Sequence, residues 1–208
     1  MEARLKRAVA FALFASAALG AQRAAPAQAP SDPVRWFATR AGLIRIYQQR
    51  GAPGGADAPG AGASCEVLES RPRDASAAGT MRETCTLIVG RKPQAPTRLS
   101  YELRRTGIYQ VGAQPEGGAA QRMERLVLPA PLGVGSSWHE ERGEAQLSRS
   151  VQSAGSACAA AGRRFADCLV LAVTRRSGGS VTRFTETYAA GVGLVEDSQW
   201  QLIDVQGL

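Results

Sequence analysis

The chain has 208 residues, a formal net charge of +7 and a single histidine. Residues 1–27 hold four of the 25 basic and one of the 18 acidic residues, which leaves 21 against 17, a net charge of +4, in the rest of the chain. These remaining bases are scattered and nearly all are arginine, and no stripe of aromatic side chains is interleaved with them. We therefore predict no nucleic-acid partner.

The first 27 residues have the features of a cleavable signal peptide. Basic residues at positions 4–7 precede an uncharged run at 8–21 of about 14 residues, shorter than the roughly 20 that a membrane-spanning helix needs. Cleavage after Gly20 or after Ala27 would follow a small-x-small pattern. No cysteine follows the run, so a lipid anchor is not expected. We predict an exported protein, periplasmic or secreted, with no transmembrane segment in its mature chain.

Residues 28–40 are predicted to be a linker and N-terminal segment, with at most one short helix at 32–41. A single β domain is predicted over 41–208, because apolar and polar residues alternate with period two in short segments separated by turn-forming residues. The alternation is clearest at 98–104. The segments predicted as strands are 43–49, 83–89, 98–104, 108–111, 122–128, 138–142, 145–152, 168–175, 180–188, 193–197 and 200–205.

The predicted fold class is all-β. No segment after residue 27 keeps a 3.6-residue apolar period for three turns. Consecutive short strands indicate an antiparallel meander of about 10–11 strands, forming a strongly curved sheet or half-barrel, with a closed barrel or a sandwich as alternatives. Loops at 51–63 and 112–121 are expected to be mobile and exposed.

The four cysteines, Cys65, Cys85, Cys158 and Cys168, are expected to form two disulfides, because an even count in an exported chain is typical of structural bridges. Three connectivities are open. We favour Cys65 with Cys85 and Cys158 with Cys168, since each pair closes a hairpin-sized loop. No C-x-x-C motif accompanies the single histidine, so no metal site and no cofactor is predicted.

His139 is the candidate for a catalytic base, with serines before it and acids after it. Neighbours in a strand point to opposite faces and no G-x-S-x-G elbow is present, so we interpret His139 as a solvent-facing strand residue and predict no catalytic residue. The nearby and later acids are expected on solvated strand faces: Glu140, Glu141, Glu144, Glu186, Glu196 and Asp197. Aromatic side chains are expected to pack in the core, with a ligand cavity as the alternative: Trp36, Trp138, Trp200, Tyr101, Tyr109, Phe165, Phe184 and Tyr188.

Three segments resemble bacterial exported proteins and lipoproteins that carry domains of unknown function. Residues 128–138 resemble their Leu-Pro-x-Pro-Leu strand entry with its following Gly and Trp. Residues 161–170 are similar to their Ala-Gly-x-Phe-x-x-Cys hairpin, and 185–195 to their closing Tyr-Ala-Pro-Gly-Val-Gly-Leu-Val element. This chain has Ala160 and Ala190 where proline is common, and it has no lipobox. The resemblance implies a half-barrel similar to envelope lipoprotein carriers, and it implies no catalytic residues.

The leading functional hypothesis is a non-enzymatic exported binding or interaction module that holds an apolar or lipid ligand in the concave face of its sheet. The alternative is a structural or accessory subunit of a cell-envelope assembly, with an envelope protein as partner. A hydrolase using His139 is the third hypothesis, and the replacement His139→Ala would test it.

Overall fold

A computed structural model describes residues 31–51 and 61–208. The predicted signal peptide, residues 28–30 and residues 52–60 of the predicted loop lie outside the described residues. The described chain forms one 3-10 helix, Pro33–Trp36, and 13 strands, which confirms the all-β fold class. The strands are β1 (Ile44–Gln49), β2 (Gly62–Arg71), β3 (Gly79–Val89), β4 (Lys92–Pro93), β5 (Thr97–Arg104), β6 (Gly107–Pro115), β7 (Gln121–Pro129), β8 (Ser137–Arg142), β9 (Ala145–Ala160), β10 (Arg163–Ser177), β11 (Ser180–Ala189), β12 (Gly193–Glu196) and β13 (Trp200–Gln206).

The strands form one antiparallel sheet in the order β7-β6-β5-β3-β2-β1-β13-β12-β11-β10-β9-β8, with β4 paired to β3. The chain follows a meander, except that β1 lies between β2 and the last strand, β13. The sheet curls into a nearly closed barrel whose edges are β7 and β8. The curved antiparallel sheet was predicted, but the count of 13 exceeds 10–11, partly because the two-residue β4 is too short to show any alternation.

The antiparallel order defines two ends of the barrel. We call the end with the β5–β6, β7–β8, β9–β10 and β11–β12 connections the plugged end, because residues 31–43 run across it. Ser31 pairs with Leu132 in the β7–β8 connection, and the backbone N–H of Gly191 donates to the carbonyl of Arg35 at 2.9 Å. We call the opposite end, with the β1–β2, β6–β7, β8–β9 and β12–β13 connections, the open end.

The N-terminal segment, residues 31–43, packs into the core of the domain. Trp36 is 1% exposed and Leu43 is fully buried, and the indole Nε1 of Trp36 donates to Oδ1 of Asp167 at 3.1 Å. The single short helix expected in this segment is confirmed. Residues 31–40, assigned from the sequence to a linker and N-terminal segment, therefore pack as part of the domain.

The two disulfides each join neighbouring strands. Cys65 on β2 is bonded to Cys85, directly opposite on β3, and Cys158 on β9 is bonded to Cys168 on β10. These are the local pairings that the loop lengths favoured. Residues 112–121, expected as a loop, instead extend β6 and β7 and leave only a short turn between them. Within the described residues, no helix is long and apolar enough to cross a membrane.

Candidate functional site

A cavity of about 390 Å³ lies inside the barrel and faces the open end. Its volume falls near the lower limit of small-molecule sites, which is about 300 Å³. The apolar core fills much of the barrel toward the plugged end, so the cavity occupies the remaining interior. Apolar side chains form part of its wall, together with the Cys65–Cys85 disulfide: Phe37, Ala63, Leu99, Val127, Leu194 and Trp200.

One charged group of the cavity wall is a buried ion pair between β1 and β3. Arg45 and Glu83 are only 7% and 5% exposed, and Nη2 of Arg45 donates to Oε2 of Glu83. Oε1 of Glu83 accepts from the hydroxyl of Tyr101 at 2.8 Å. Both carboxylate oxygens are therefore satisfied inside the protein, as a buried charge requires.

The tyrosines beside this pair stay neutral. Burial, followed by the charge of Glu83, raises the pKa of Tyr101 well above its usual value. Burial also raises the pKa of Tyr47, whose hydroxyl donates to the carbonyl of Leu194 at 2.8 Å. Burial by itself would lower the pKa of Arg45, but Tyr47 and Glu83 outweigh it and the net shift is upward. Arg45 thus stays protonated, with neutral hydroxyl donors beside it.

A second group, the arginine cluster, consists of Arg125 on β7, Glu140 and Arg142 on β8, Arg149 on β9 and Glu186 on β11. Arg149 joins the two carboxylates: its Nη1 donates to Oε2 of Glu140 at 2.5 Å, while its Nε and Nη2 donate to Glu186 at 2.9 and 3.0 Å. The Nε of Arg142 donates to Oε1 of Glu140 at 2.5 Å. The two-pronged contact with Glu186 is the strongest geometry that a guanidinium and a carboxylate can adopt.

Arg125 is the member of the arginine cluster without a well-aligned partner. Its Nε lies 3.1 Å from Oε1 of Glu140, yet this buried nitrogen has no hydrogen bond within the described part of the chain. Burial lowers the pKa of Arg125, and the neighbouring charge of Arg142 lowers it further. Because three guanidinium groups share two carboxylates, the cluster carries a formal charge of about +1.

The position of Glu140 and Glu186 corrects the expectation that the acids lie on solvated strand faces. Glu140 is 7% and Glu186 is 6% exposed, because guanidinium groups from neighbouring strands neutralise them inside the barrel. Glu141 and Glu144 are exposed as expected. The sequence does contain a signal for these buried acids: an acidic residue lies two positions from apolar residues, and this spacing places them on the same face of a strand. Phe184, Glu186 and Tyr188 on β11 follow this pattern.

His139 lies on β8 with its side chain exposed, on the face opposite to the buried Glu140. Its Nδ1 lies 2.9 Å from Oγ of Ser148 on β9, and this is its only side-chain hydrogen bond within the described residues. His139 and the cavity are therefore on opposite faces of the sheet. Among the residues that the structure describes, no three His, Cys, Asp or Glu side chains come together as a metal site would require.

The aromatic residues are divided between core and cavity. Trp36 and Trp138 are buried in the core, whereas Tyr101, Tyr188 and Trp200 line the cavity. Trp200 is half-buried near the β12–β13 turn, at the open end. Core packing and cavity lining, which the sequence left as alternatives, are thus both present.

Comparison with solved structures finds a similar fold. A crystal structure from Bacteroides fragilis, described as a "putative exported protein with YmcC-like fold", has a TM-score of 0.50 and 9% sequence identity, and the match covers 82% of this chain and 98% of that chain. A crystal structure of a "putative lipoprotein" from Parabacteroides distasonis has a TM-score of 0.49 and 10% identity and covers 86% of this chain and 100% of its own. No protein-family model and no curated protein matches the sequence. At this identity the first likeness shows a shared fold.

Proposed function

We propose that the protein is an exported, non-enzymatic binding module that holds a compact amphipathic ligand in its barrel. The observation that carries this proposal is the cavity of about 390 Å³, whose wall contains both ion pairs and apolar side chains. Most ligand sites combine an apolar lining with a few polar groups that fix the ligand's orientation.

The composition of the wall indicates the polarity of the ligand. A wholly apolar ligand would cover Arg125 and Arg142 without giving them an acceptor, and leaving such groups unpaired is costly. A wholly polar ligand would gain nothing from Leu99, Val127 and Trp200. The volume lies near the lower limit of ligand sites, which favours a molecule with one short apolar chain over a large lipid.

The apolar wall continues past the cavity at the open end. Leu87 on β3 is directly opposite the cavity residue Ala63 on β2 and shares its face, and Leu87 is 40% exposed. Val89, two residues further on, is 48% exposed. An apolar chain leaving the cavity would meet these side chains before it reaches water, so they favour entry and exit at the open end.

Export is the second part of the proposal, and it places the protein in the periplasm or outside the cell. It is supported by the charged and apolar pattern of residues 1–27 and by two disulfides, which persist in oxidising compartments. The similar structure from Bacteroides fragilis is also described as exported. The sequence motifs resemble exported proteins and lipoproteins of unknown function, and this resemblance implies a half-barrel similar to those of envelope lipoprotein carriers.

The proposal is tested by native mass spectrometry of the full-length gene product purified without detergent from its own cell envelope. We expect a bound species that is lost on denaturation. In the variant Ala63→Trp, the larger side chain projects from the wall into the cavity, so this species should be missing. The control Val181→Trp, at a site that is 53% exposed, should retain it. Equal occupancy in both variants, or no bound species in the wild type, would contradict the proposal.

A second candidate function is an interaction module of an envelope assembly, favoured by the two sheet edges. Within the described residues, β7 and β8 each pair with only one neighbouring strand, so their outer backbone groups could accept an extended segment of an envelope protein. Photocrosslinking groups at Glu124 and His139, exposed on β7 and β8, would test this in cells, with Thr182 on β11 as control. One dominant protein crosslinked from the edges but not from Thr182 would support the assembly role.

A further inference from the structure

We propose that the cavity selects ligands whose polar end is an oxyanion, such as a carboxylate, and binds this group between Arg125 and Arg142. The inference rests on the proposed function, because it specifies the ligand class of the same cavity. It depends on how the hydrogen-bonding capacity of the arginine cluster is used.

Glu140 is hydrogen-bonded by Arg149 and Arg142 but not by Arg125. Its Oε2 accepts from Arg149 and its Oε1 accepts from Arg142 at 2.5 Å, whereas Nε of Arg125 lies 3.1 Å from Oε1. The contact from Arg125 is not aligned as a hydrogen bond. Each guanidinium offers five N–H donors in a planar fork. Within the described residues, Arg142 donates a side-chain hydrogen bond only through Nε and Arg125 donates none, so both have donors left for a ligand.

The two arginines are also accessible from the cavity. The side chains of Arg125 and Arg142 are 30% and 45% exposed, whereas those of Arg149 and Glu140 are 5% and 4% exposed. The buried members of the cluster are therefore the supporting framework, and the two partly exposed members can contact a ligand. Arginine pairs of this kind match the planar geometry of an oxyanion.

The other charges of the cavity do not provide a comparable site for a cation. Glu83 is neutralised by Arg45 and accepts a hydrogen bond from Tyr101. Asp197 stands at the β12–β13 turn, where its Oδ1 accepts from the backbone N–H groups of Gln199 and Trp200 at 2.7 Å each. This leaves only Oδ2 of Asp197 for a ligand, whereas Arg125 and Arg142 offer several N–H donors. Among the described residues, the unused hydrogen-bonding groups of the cavity are therefore mainly cationic donors.

The test compares three probes that share one apolar chain: octanoate, octanol and octylamine. Isothermal titration of the full-length protein at neutral pH should show octanoate binding about tenfold more tightly than octanol, and octylamine more weakly than either. In Arg125→Gln and Arg142→Gln, the advantage of octanoate over octanol should fall to about twofold. Glu140 keeps two arginine partners in each variant, so the fold should be retained. Arg82→Gln, on an exposed pair with Glu69, is the control and should bind like the wild type.

The outcomes separate this inference from the proposed function. If the three probes bind with equal affinity, or octylamine binds most tightly, the cavity binds amphipathic molecules but the oxyanion site is wrong. If none of the three probes binds, both the oxyanion site and the proposed ligand-binding function are wrong. The comparison of probes on the wild type needs no variant, so a variant that fails to fold does not weaken the test.

Discussion

Arg149 is the residue that links the two buried carboxylates of the arginine cluster. It is 4% exposed and contacts both Glu140 and Glu186. We expect Arg149→Met to lower the free energy of unfolding by about 3–5 kcal/mol, because removing one partner of a buried ion pair leaves uncompensated charge. Urea denaturation followed by circular dichroism measures this loss.

The matched control for Arg149 is Arg82 on β3. Arg82 forms an ion pair with Glu69 on β2, but the two side chains are 52% and 45% exposed. Exposed pairs contribute about 0–1 kcal/mol, so Arg82→Met should change the free energy of unfolding by no more than that. Similar losses in the two variants would show that burial does not set the strength of these pairs.

Glu140 should make the stability of the protein depend on acid pH. Burial would raise its pKa, but the hydrogen bond from Arg142 and the charges of Arg125 and Arg149 outweigh it, and the net shift is downward from 4.5. A carboxyl group whose pKa is lower in the folded than in the unfolded state stabilises the fold at pH values above its unfolded pKa, here about 4.5. This stabilisation is lost as the pH falls through the folded-state pKa. The stability advantage of the wild type over Glu140→Gln should therefore be constant near neutral pH and shrink below about 4.5. Urea denaturation at a series of pH values measures it, and an advantage that grows in acid would contradict the assignment.

At the scale of elements, the N-terminal segment is a structural part of the barrel. Trp36 is 1% exposed at the plugged end, whereas Arg40, four residues later, is exposed. We expect Trp36→Ala to destabilise the fold by about 3–5 kcal/mol, since it leaves a large cavity and removes the partner of Asp167. Arg40→Ala should stay within about 0.5 kcal/mol of the wild type. A small loss in Trp36→Ala would mean that the segment does not close the barrel in solution.

The strands show why part of the fold was predictable and part was not. Alternation at 98–104 places Tyr101 and Leu103 inward, and both are buried in β5. The prediction ended one strand at residue 152, yet β9 continues to Ala160. Its second half consists of small residues, which carry no apolar alternation. The inward arginines and glutamates were missed for a related reason: partners such as Arg149 and Glu186 are 37 residues apart, and only the strand order brings them together.

On the scale of the whole molecule, the two ends of the barrel and the seam along its side differ in how they are closed. Residues 31–43 cover one end, the opposite end leads to the cavity, and the sides of the barrel meet at the seam between β7 and β8. A contact between side chains, Arg125 with Glu140, spans this seam. The same two residues belong to the cavity wall, so the closure of the barrel and the proposed ligand site share one set of charges.

The seam should be the least protected part of the sheet. In the part of the chain that the structure describes, β7 and β8 have hydrogen-bonded neighbours on one side only, whereas β10 is paired on both sides along most of its length. Local opening of an edge strand breaks fewer hydrogen bonds and exposes less buried surface, so its amides exchange with solvent more readily. Hydrogen–deuterium exchange should therefore be at least about tenfold faster in β8 than in the central part of β10.

Arg125→Gln, which removes the contact across the seam, should increase exchange in β7 and β8 and leave β10 and β11 unchanged. Arg82→Gln on the outer face is again the control. If β7 and β8 exchange as slowly as β10, the two edges pair through their backbones in solution. The barrel would then be fully closed around its side, and a ligand could reach the arginine cluster only through the open end, past Leu87 and Trp200.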